Sequence, residues 1–137
     1  MTDAELRTAF ESCTLPRALW NHRAHVRMGY LYAAQHPFDV ALGRMRQSIQ
    51  KYNRSQQVPD APGRGYHETI TVAFMRLVCD KLTRSGPFPS SDAFCDSHPE
   101  FLDKSLLLRF YSKDRIETEE ARRTFVEPDL AELVLER

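Results

Sequence analysis

The sequence predicts an all-α, single-domain helical bundle with short C-terminal helices. Apolar residues recur at helical spacing in three long segments, 15–35, 37–53 and 66–84, and stretches rich in Pro and Gly separate these segments. The alternating apolar and polar pattern of a half-buried strand is missing from the chain. With 137 residues, 42% of them hydrophobic, the chain is long enough to bury a real core. We therefore assign residues 1–137 to one helical domain.

The first long segment carries two of the five histidines. Thr14-Leu15-Pro16 has the composition of a helix start, with a capping threonine and a proline in the first turn, and the periodic pattern continues to Gln35. His22 falls on the apolar stripe of this predicted helix, and His25 borders the stripe. A polar ring on a core-facing stripe needs a partner, because burying it unpaired costs about 1–3 kcal/mol.

The second and third segments complete the predicted core. Residues 37–53 form a clean amphipathic pattern, and residues 66–84 are apolar on nearly all sides, as expected for a central helix that is covered by its neighbours. Phe74 and Leu77 are expected in the core of the third helix. The polar connection 53–65 separates the two helices. After residue 86 the periodic stretches shorten, and we expect short helices near 103–111 and 118–126.

Composition and charge exclude several classes of protein. Nineteen basic and nineteen acidic residues cancel, so no overall field attracts the chain to nucleic acid or to an anionic membrane. A transmembrane helix needs roughly 18 consecutive apolar residues, and no run approaches this length. The acidic first residues, Met1 to Glu5, do not resemble a signal peptide. We expect a cytoplasmic protein whose partner is a small-molecule ligand.

Three histidines in two short segments predict a site. His22 and His25 are three residues apart and project from one helical face, and His67 lies at the start of the third predicted helix. Three imidazoles supply three ligands and leave one coordination position open, which is the arrangement of catalytic zinc or iron. We therefore predict a divalent metal, zinc or iron, held by His22, His25 and His67.

The same region supports acid–base chemistry without a metal. A histidine titrates near neutrality, and a neighbouring carboxylate can orient it. His67, Glu68 and Tyr66 are the predicted catalytic residues. Three further residues are predicted to bind the substrate: Arg27, Tyr30 and Thr71.

A structural role for these residues is the alternative. Buried histidines can bond to one another and to helix ends, and such polar networks can specify packing without any chemistry. The strong metal motifs of helical bundles, such as HExxH, are not present in the sequence. The protein is then a non-catalytic helical module that binds a partner or a ligand.

Three motifs in fixed order resemble a known pattern. They are Trp20-x-His22-x-x-His25-x-Arg27, then Tyr66-His67-Glu68-Thr69-Ile70-Thr71, then Ala121-Arg122-x-x-Phe125-Val126-x-Pro128-Asp129. The chain resembles, over residues 20–129, a family of small helical bacterial proteins that are described only as hypothetical. The resemblance implies an all-helical cytoplasmic domain, and it implies no particular activity.

Overall fold

The computed structural model describes residues 1–61 and 63–135, and these residues confirm the all-α fold class. They contain no strand, and the only bridge between extended residues is the isolated pair Ala61 and Arg64. No helix in this part of the chain is both long enough and apolar enough to cross a membrane. The α-helices, in chain order, are α1 (Asp3–Glu11), α2 (His22–Gln35), α3 (Phe38–Ser55), α4 (Glu68–Ser85), α5 (Ser91–Ser97), α6 (Lys113–Ile116) and α7 (Glu119–Arg123). Short 3-10 helices span Arg17–Leu19, Pro99–Leu102 and Leu106–Arg109.

Helix α2 lies at the centre of the bundle. It packs against α1, α3, α4 and α5, and every residue from Val26 to Tyr32 is buried. The sequence pattern indicates α4 as the central helix, but α4 is exposed at Ile70 and Arg76. Gly29 permits the close approach of α2 and α4, because a Cβ at this position would lie 3.3 Å from the Sδ atom of Met75. The centre of the fold is thus two helices earlier in the chain than the apolar content predicts.

The predicted helix 14–35 is wrong at its beginning. Residues Arg17–Leu19 form a 3-10 turn, and α2 begins only at His22. Asn21 is the N-cap, since its side-chain oxygen accepts a hydrogen bond of 2.9 Å from the backbone N–H of Ala24. Leu19 is 46% exposed and therefore does not belong to the buried stripe. This break lets Trp20 leave the helical path and lie against the start of α2.

Buried side-chain hydrogen bonds hold the C-terminal segment on α4. The Thr69 hydroxyl donates to the Thr124 carbonyl at 2.9 Å and accepts from the Val126 N–H at 3.1 Å. The Tyr111 hydroxyl donates to the Val126 carbonyl at 2.7 Å. Helix α7 was expected to reach about residue 126 but ends at Arg123, so the following residues bond to these hydroxyls in an extended form. This docking places the C-terminal elements along one side of α4.

Leu77 and Phe74 differ in burial although both were expected in the core. Leu77 is 1% exposed, whereas Phe74 is only partly buried and packs edge-on against Phe101 with 5.8 Å between ring centroids. We predict that Leu77→Ala lowers the free energy of unfolding by about 2–5 kcal/mol. Phe74→Ala is predicted to lower it less, because the ring borders space that is already open. Urea denaturation measures both losses, and a larger loss for Phe74→Ala would contradict this assignment.

Candidate functional site

A cavity of about 940 Å³ lies between α2, α3, α4 and the C-terminal elements. His22, His25 and His67 all line it, so the three predicted imidazoles reach one space. We call this space the histidine cavity. Its apolar walls come from Trp20, Gly29, Met45, Ile49, Ile70, Phe74, Met75, Leu107, Leu108 and Ile116, and its polar lining consists of Asn21, Gly63, Thr71, Lys104, Glu117 and Arg122 together with the histidines. A volume of this order accommodates a drug-sized molecule.

The ring of His25 is stacked on Trp20 and has no hydrogen bond to the described residues. The centroids of the two rings are 3.8 Å apart, and Trp20 stacks in turn on Phe10 at 4.1 Å. Burial lowers the pKa of His25 to about 4, with a smaller contribution from the neighbouring His22. The ring nitrogens are not among the buried polar atoms that lack a partner, so they are accessible. His25 therefore presents a neutral imidazole with both nitrogens free.

One nitrogen of His22 is engaged and the other is free. Its Nε2 atom lies 2.9 Å from the carbonyl oxygen of Phe101. A carbonyl oxygen can only accept, so Nε2 carries the proton, and the lone pair of the neutral ring is on Nδ1. The edge of the ring also meets Phe74, with 5.7 Å between centroids. These contacts fix both the tautomer and the orientation of His22.

Both nitrogens of His67 are engaged in holding the fold. His67 is the N-cap of α4, and its Nδ1 accepts a hydrogen bond of 3.1 Å from the backbone N–H of Ile70. Its Nε2 donates to the carbonyl of Ile116 at 2.8 Å. Burial, which outweighs the hydrogen bond to Ile116, lowers the pKa of His67. The ring is thus neutral and links the start of α4 to the end of α6.

The three imidazoles are not equivalent as metal ligands. Within residues 1–61 and 63–135, no group of three or more His, Cys, Asp or Glu side chains has the geometry to hold a metal ion. The Nδ1 lone pair of His67 already accepts a backbone hydrogen bond, which removes the ring from a ligand set. Zinc or iron binding by His22, His25 and His67 stays a prediction. In the described geometry, His22 and His25 each have one free lone pair for a metal ion.

Glu68 and Tyr66 lie in a second, smaller pocket of about 460 Å³. Arg46 on α3 binds both oxygens of the Glu68 carboxylate, at 2.9 and 2.6 Å, and the Tyr66 hydroxyl donates to the same carboxylate at 2.7 Å. Burial by itself raises the pKa of Glu68, but the bonds from Arg46 and Tyr66 outweigh it and the pKa is lowered. Burial raises the pKa of the Tyr66 hydroxyl well above its ordinary value. Of the three predicted catalytic residues, Glu68 and Tyr66 thus belong to a bonded ion-pair network and do not line the histidine cavity.

Arg27 lies away from the histidine cavity, buried between the N-terminus and α5. Its Nε donates to the Ser91 hydroxyl at 2.7 Å, and its Nη2 donates to the Met1 carbonyl at 2.8 Å and to Asp3 at 3.2 Å. The hydrogen bonds from Ser91 and Arg27 outweigh the effect of burial and lower the pKa of Asp3. The sequence predicts that Arg27 binds substrate. In the structure its guanidinium instead bonds to the first residues of the chain and to Ser91.

The other two predicted substrate-binding residues have different surroundings. Tyr30 is buried, donates a hydrogen bond of 3.1 Å to the Phe88 carbonyl, and stacks on Phe94. Thr71 lines the histidine cavity, although its hydroxyl donates to the His67 carbonyl at 2.9 Å. Of the predicted set of Arg27, Tyr30 and Thr71, only Thr71 reaches the cavity.

Sequence reasoning missed several residues of the cavity. Trp20 was recognised as part of a motif, but nothing in the spacing shows that its ring covers His25. Lys104, Leu107 and Leu108 come from the C-terminal elements, whose docking depends on hydroxyl contacts at long separation in the chain. The apolar run Leu106-Leu107-Leu108 predicts a segment that docks on the bundle, but it does not show that Leu107 and Leu108 line a cavity.

Comparisons with protein-family models, with curated proteins and with solved structures give no match. The resemblance drawn from the three motifs therefore stays a prediction.

We predict that His67→Ala destabilises the protein by about 2 kcal/mol, the sum of a lost helix cap and a lost hydrogen bond. His67→Asn is the matched variant. Its shorter side chain can still accept from the Ile70 N–H but cannot reach the Ile116 carbonyl, so we expect an intermediate loss. Chemical denaturation measures the free energy of unfolding of the three proteins, which we expect to decrease from wild type to His67→Asn to His67→Ala. Equal stability of wild type and His67→Ala would show that neither bond contributes.

The neutral state of His25 predicts how stability depends on pH. The folded protein protonates this ring at a pKa of about 4 and the unfolded chain near the ordinary value of 6.5, so between these values the unfolded state binds more protons. Stability is therefore expected to fall as the pH is lowered from about 6.5 to about 4. His25→Phe keeps an aromatic ring beside Trp20 and should flatten this dependence. A ring-proton NMR titration of His25 with a midpoint near 6.5 would contradict the prediction.

Proposed function

We propose that the histidine cavity binds a small molecule with an apolar body and a carbonyl group, and transfers a proton at the carbon beside that carbonyl. The proposal rests on the state of His25. Its imidazole is neutral, its nitrogens are accessible, and it has no hydrogen-bond partner in the described chain. Desolvating a polar ring has a cost that is recovered when the ring meets a partner of matching polarity. A bound ligand supplies such a partner.

His25 is suited to polarise a carbonyl oxygen. With a pKa of about 4 it is a weak base, and it remains uncharged at neutral pH. A neutral imidazole N–H can donate a hydrogen bond to a carbonyl and to the enolate that forms from it. Such a donation is stronger in apolar surroundings, and Trp20 covers one face of the His25 ring.

His22 is suited to accept the proton. The Phe101 carbonyl fixes the N–H of His22 at Nε2, which leaves the Nδ1 lone pair as the basic position. The same carbonyl stabilises the imidazolium that forms when Nδ1 takes a proton from carbon. The electron pair of the broken C–H bond moves toward the carbonyl oxygen, where His25 donates. Return of the proton to either face of the carbon completes an exchange or an isomerisation.

Binding without catalysis is the second candidate function. It is favoured by the observation that His67, Glu68 and Tyr66 are all engaged in bonds that hold the fold. In this alternative the histidine cavity still holds an apolar ligand, and His22 and His25 only bond to it. The two candidates differ in whether the bound molecule exchanges a proton.

Deuterium exchange into β-tetralone tests the proposal. This ketone has an apolar body and acidic protons beside its carbonyl, and NMR in deuterium oxide follows their loss. We expect the protein to accelerate the exchange, and His22→Gln, which can still donate to the Phe101 carbonyl, to bind the ketone but to lose about a hundredfold in rate. His25→Phe is expected to weaken both binding and exchange. His98→Gln is the control, because His98 does not line the cavity.

Two results would count against the proposal in different ways. Binding with an exchange rate that His22→Gln leaves unchanged would contradict proton transfer and support the binding module. Absence of binding, judged by unchanged backbone amide signals around the cavity, would contradict the small-molecule site itself.

A further inference from the structure

We propose that the ligand of the histidine cavity is an apolar oxo acid and that Lys104 binds its carboxylate. The inference rests on the proposed function of the cavity and adds the class of ligand. It is carried by the charges and apolar side chains at the mouth of the cavity.

Lys104 is an uncompensated cation at this mouth. Its side chain lines the cavity, is exposed, and forms no ion pair with any residue in 1–61 or 63–135. Arg122 is a second cation in the lining, and Glu117 is the single carboxylate. Arg122 is bonded to the Gly65 carbonyl at 3.2 Å and its Nε lies 3.7 Å from a carboxylate oxygen of Glu119, whereas Lys104 has no ion-pair partner in the described chain. A carboxylate is the complementary group.

The apolar rim supports a ligand with an extended apolar body. Ile70 on α4 is 42% exposed and Leu108 is 44% exposed, and both line the cavity. Behind them the walls are Phe74 and Leu107, which continue the apolar surface inward. A hydrocarbon body that enters the cavity covers these side chains, at a gain of roughly 25 cal/mol for each Å² removed from water.

The position of Lys104 relates the carboxylate to the two histidines. Lys104 follows Phe101 by three residues, and the Phe101 carbonyl is the group that binds His22. Lys104 and His22 line the same cavity, so we place the carboxylate on the part of the lining that contains Lys104 and the carbonyl within reach of the histidines. The carbonyl that His25 polarises is then a second polar group of the same molecule, so the class is an oxo acid rather than a simple ketone.

Decanoate and decanol form a matched pair of probes, with the same body and with or without the negative charge. Isothermal titration calorimetry at low salt gives both affinities. We expect decanoate to bind about fivefold more tightly, the order of an ion pair at a partly exposed site, and the preference to shrink as salt is added. Lys104→Gln should remove the preference and Lys104→Glu should reverse it. Lys113→Gln is the control, because Lys113 is an exposed lysine that does not line the cavity.

The possible outcomes separate this inference from the proposed function. If decanoate and decanol bind equally and His25→Phe weakens the binding of both, the carboxylate assignment is wrong. The small-molecule site in the cavity is then still supported. A preference for decanoate that survives Lys104→Gln and Lys104→Glu would overturn the role of Lys104. Failure of both probes to bind would overturn the ligand class and the small-molecule site together. Loss of the preference only in the Lys104 variants supports the inference.

Discussion

The stacking of Trp20 between Phe10 and His25 is the interaction on which the candidate site depends. It requires the chain to leave helical geometry before α2, and the cap formed by Asn21 provides that break. Were the helix continuous from residue 14, Trp20 could not turn back onto its start. The stack covers one face of the His25 ring and contributes to its burial. The neutral state of the ring, and hence its proposed role, follows from this coverage.

Three histidines that look alike in the sequence have three different states. His67 is bonded at both nitrogens, His22 at one, and His25 at none within the described chain. The number of free nitrogens decides what each ring can do. His67 bonds to the backbone through both nitrogens, His22 keeps a free lone pair at Nδ1, and both nitrogens of His25 are unbonded. The structure thereby divides the predicted cluster into a structural residue and two candidate functional ones.

The polar groups around the cavity keep its walls in place. Arg46 and Glu68 join α3 to the start of α4 by two charge-assisted bonds, while Thr69 holds the segment after α7. The Thr69 hydroxyl is fully buried, so its loss leaves the Thr124 carbonyl and the Val126 N–H without this partner, at a cost of about 1–3 kcal/mol.

The sequence by itself determined the helical class, because periodicity and Pro/Gly punctuation are local properties. It also indicated which histidines matter, since polar residues on apolar stripes are conspicuous, and all three line one cavity. It could not show that Arg27 donates hydrogen bonds to the Ser91 hydroxyl and the Met1 carbonyl, because both partners are far from Arg27 along the chain.

Only the tertiary structure decided the hydrogen bonding of each ring. Hydrogen bonds from His22 to Phe101 and from His67 to Ile116 join residues 79 and 49 positions apart. Burial of His25 depends on where Trp20 lies, and no spacing rule reports it. A local pattern states which residue types are present and which face they share. What a titratable group can do is set by desolvation and by its partners, and both are created when distant segments come together.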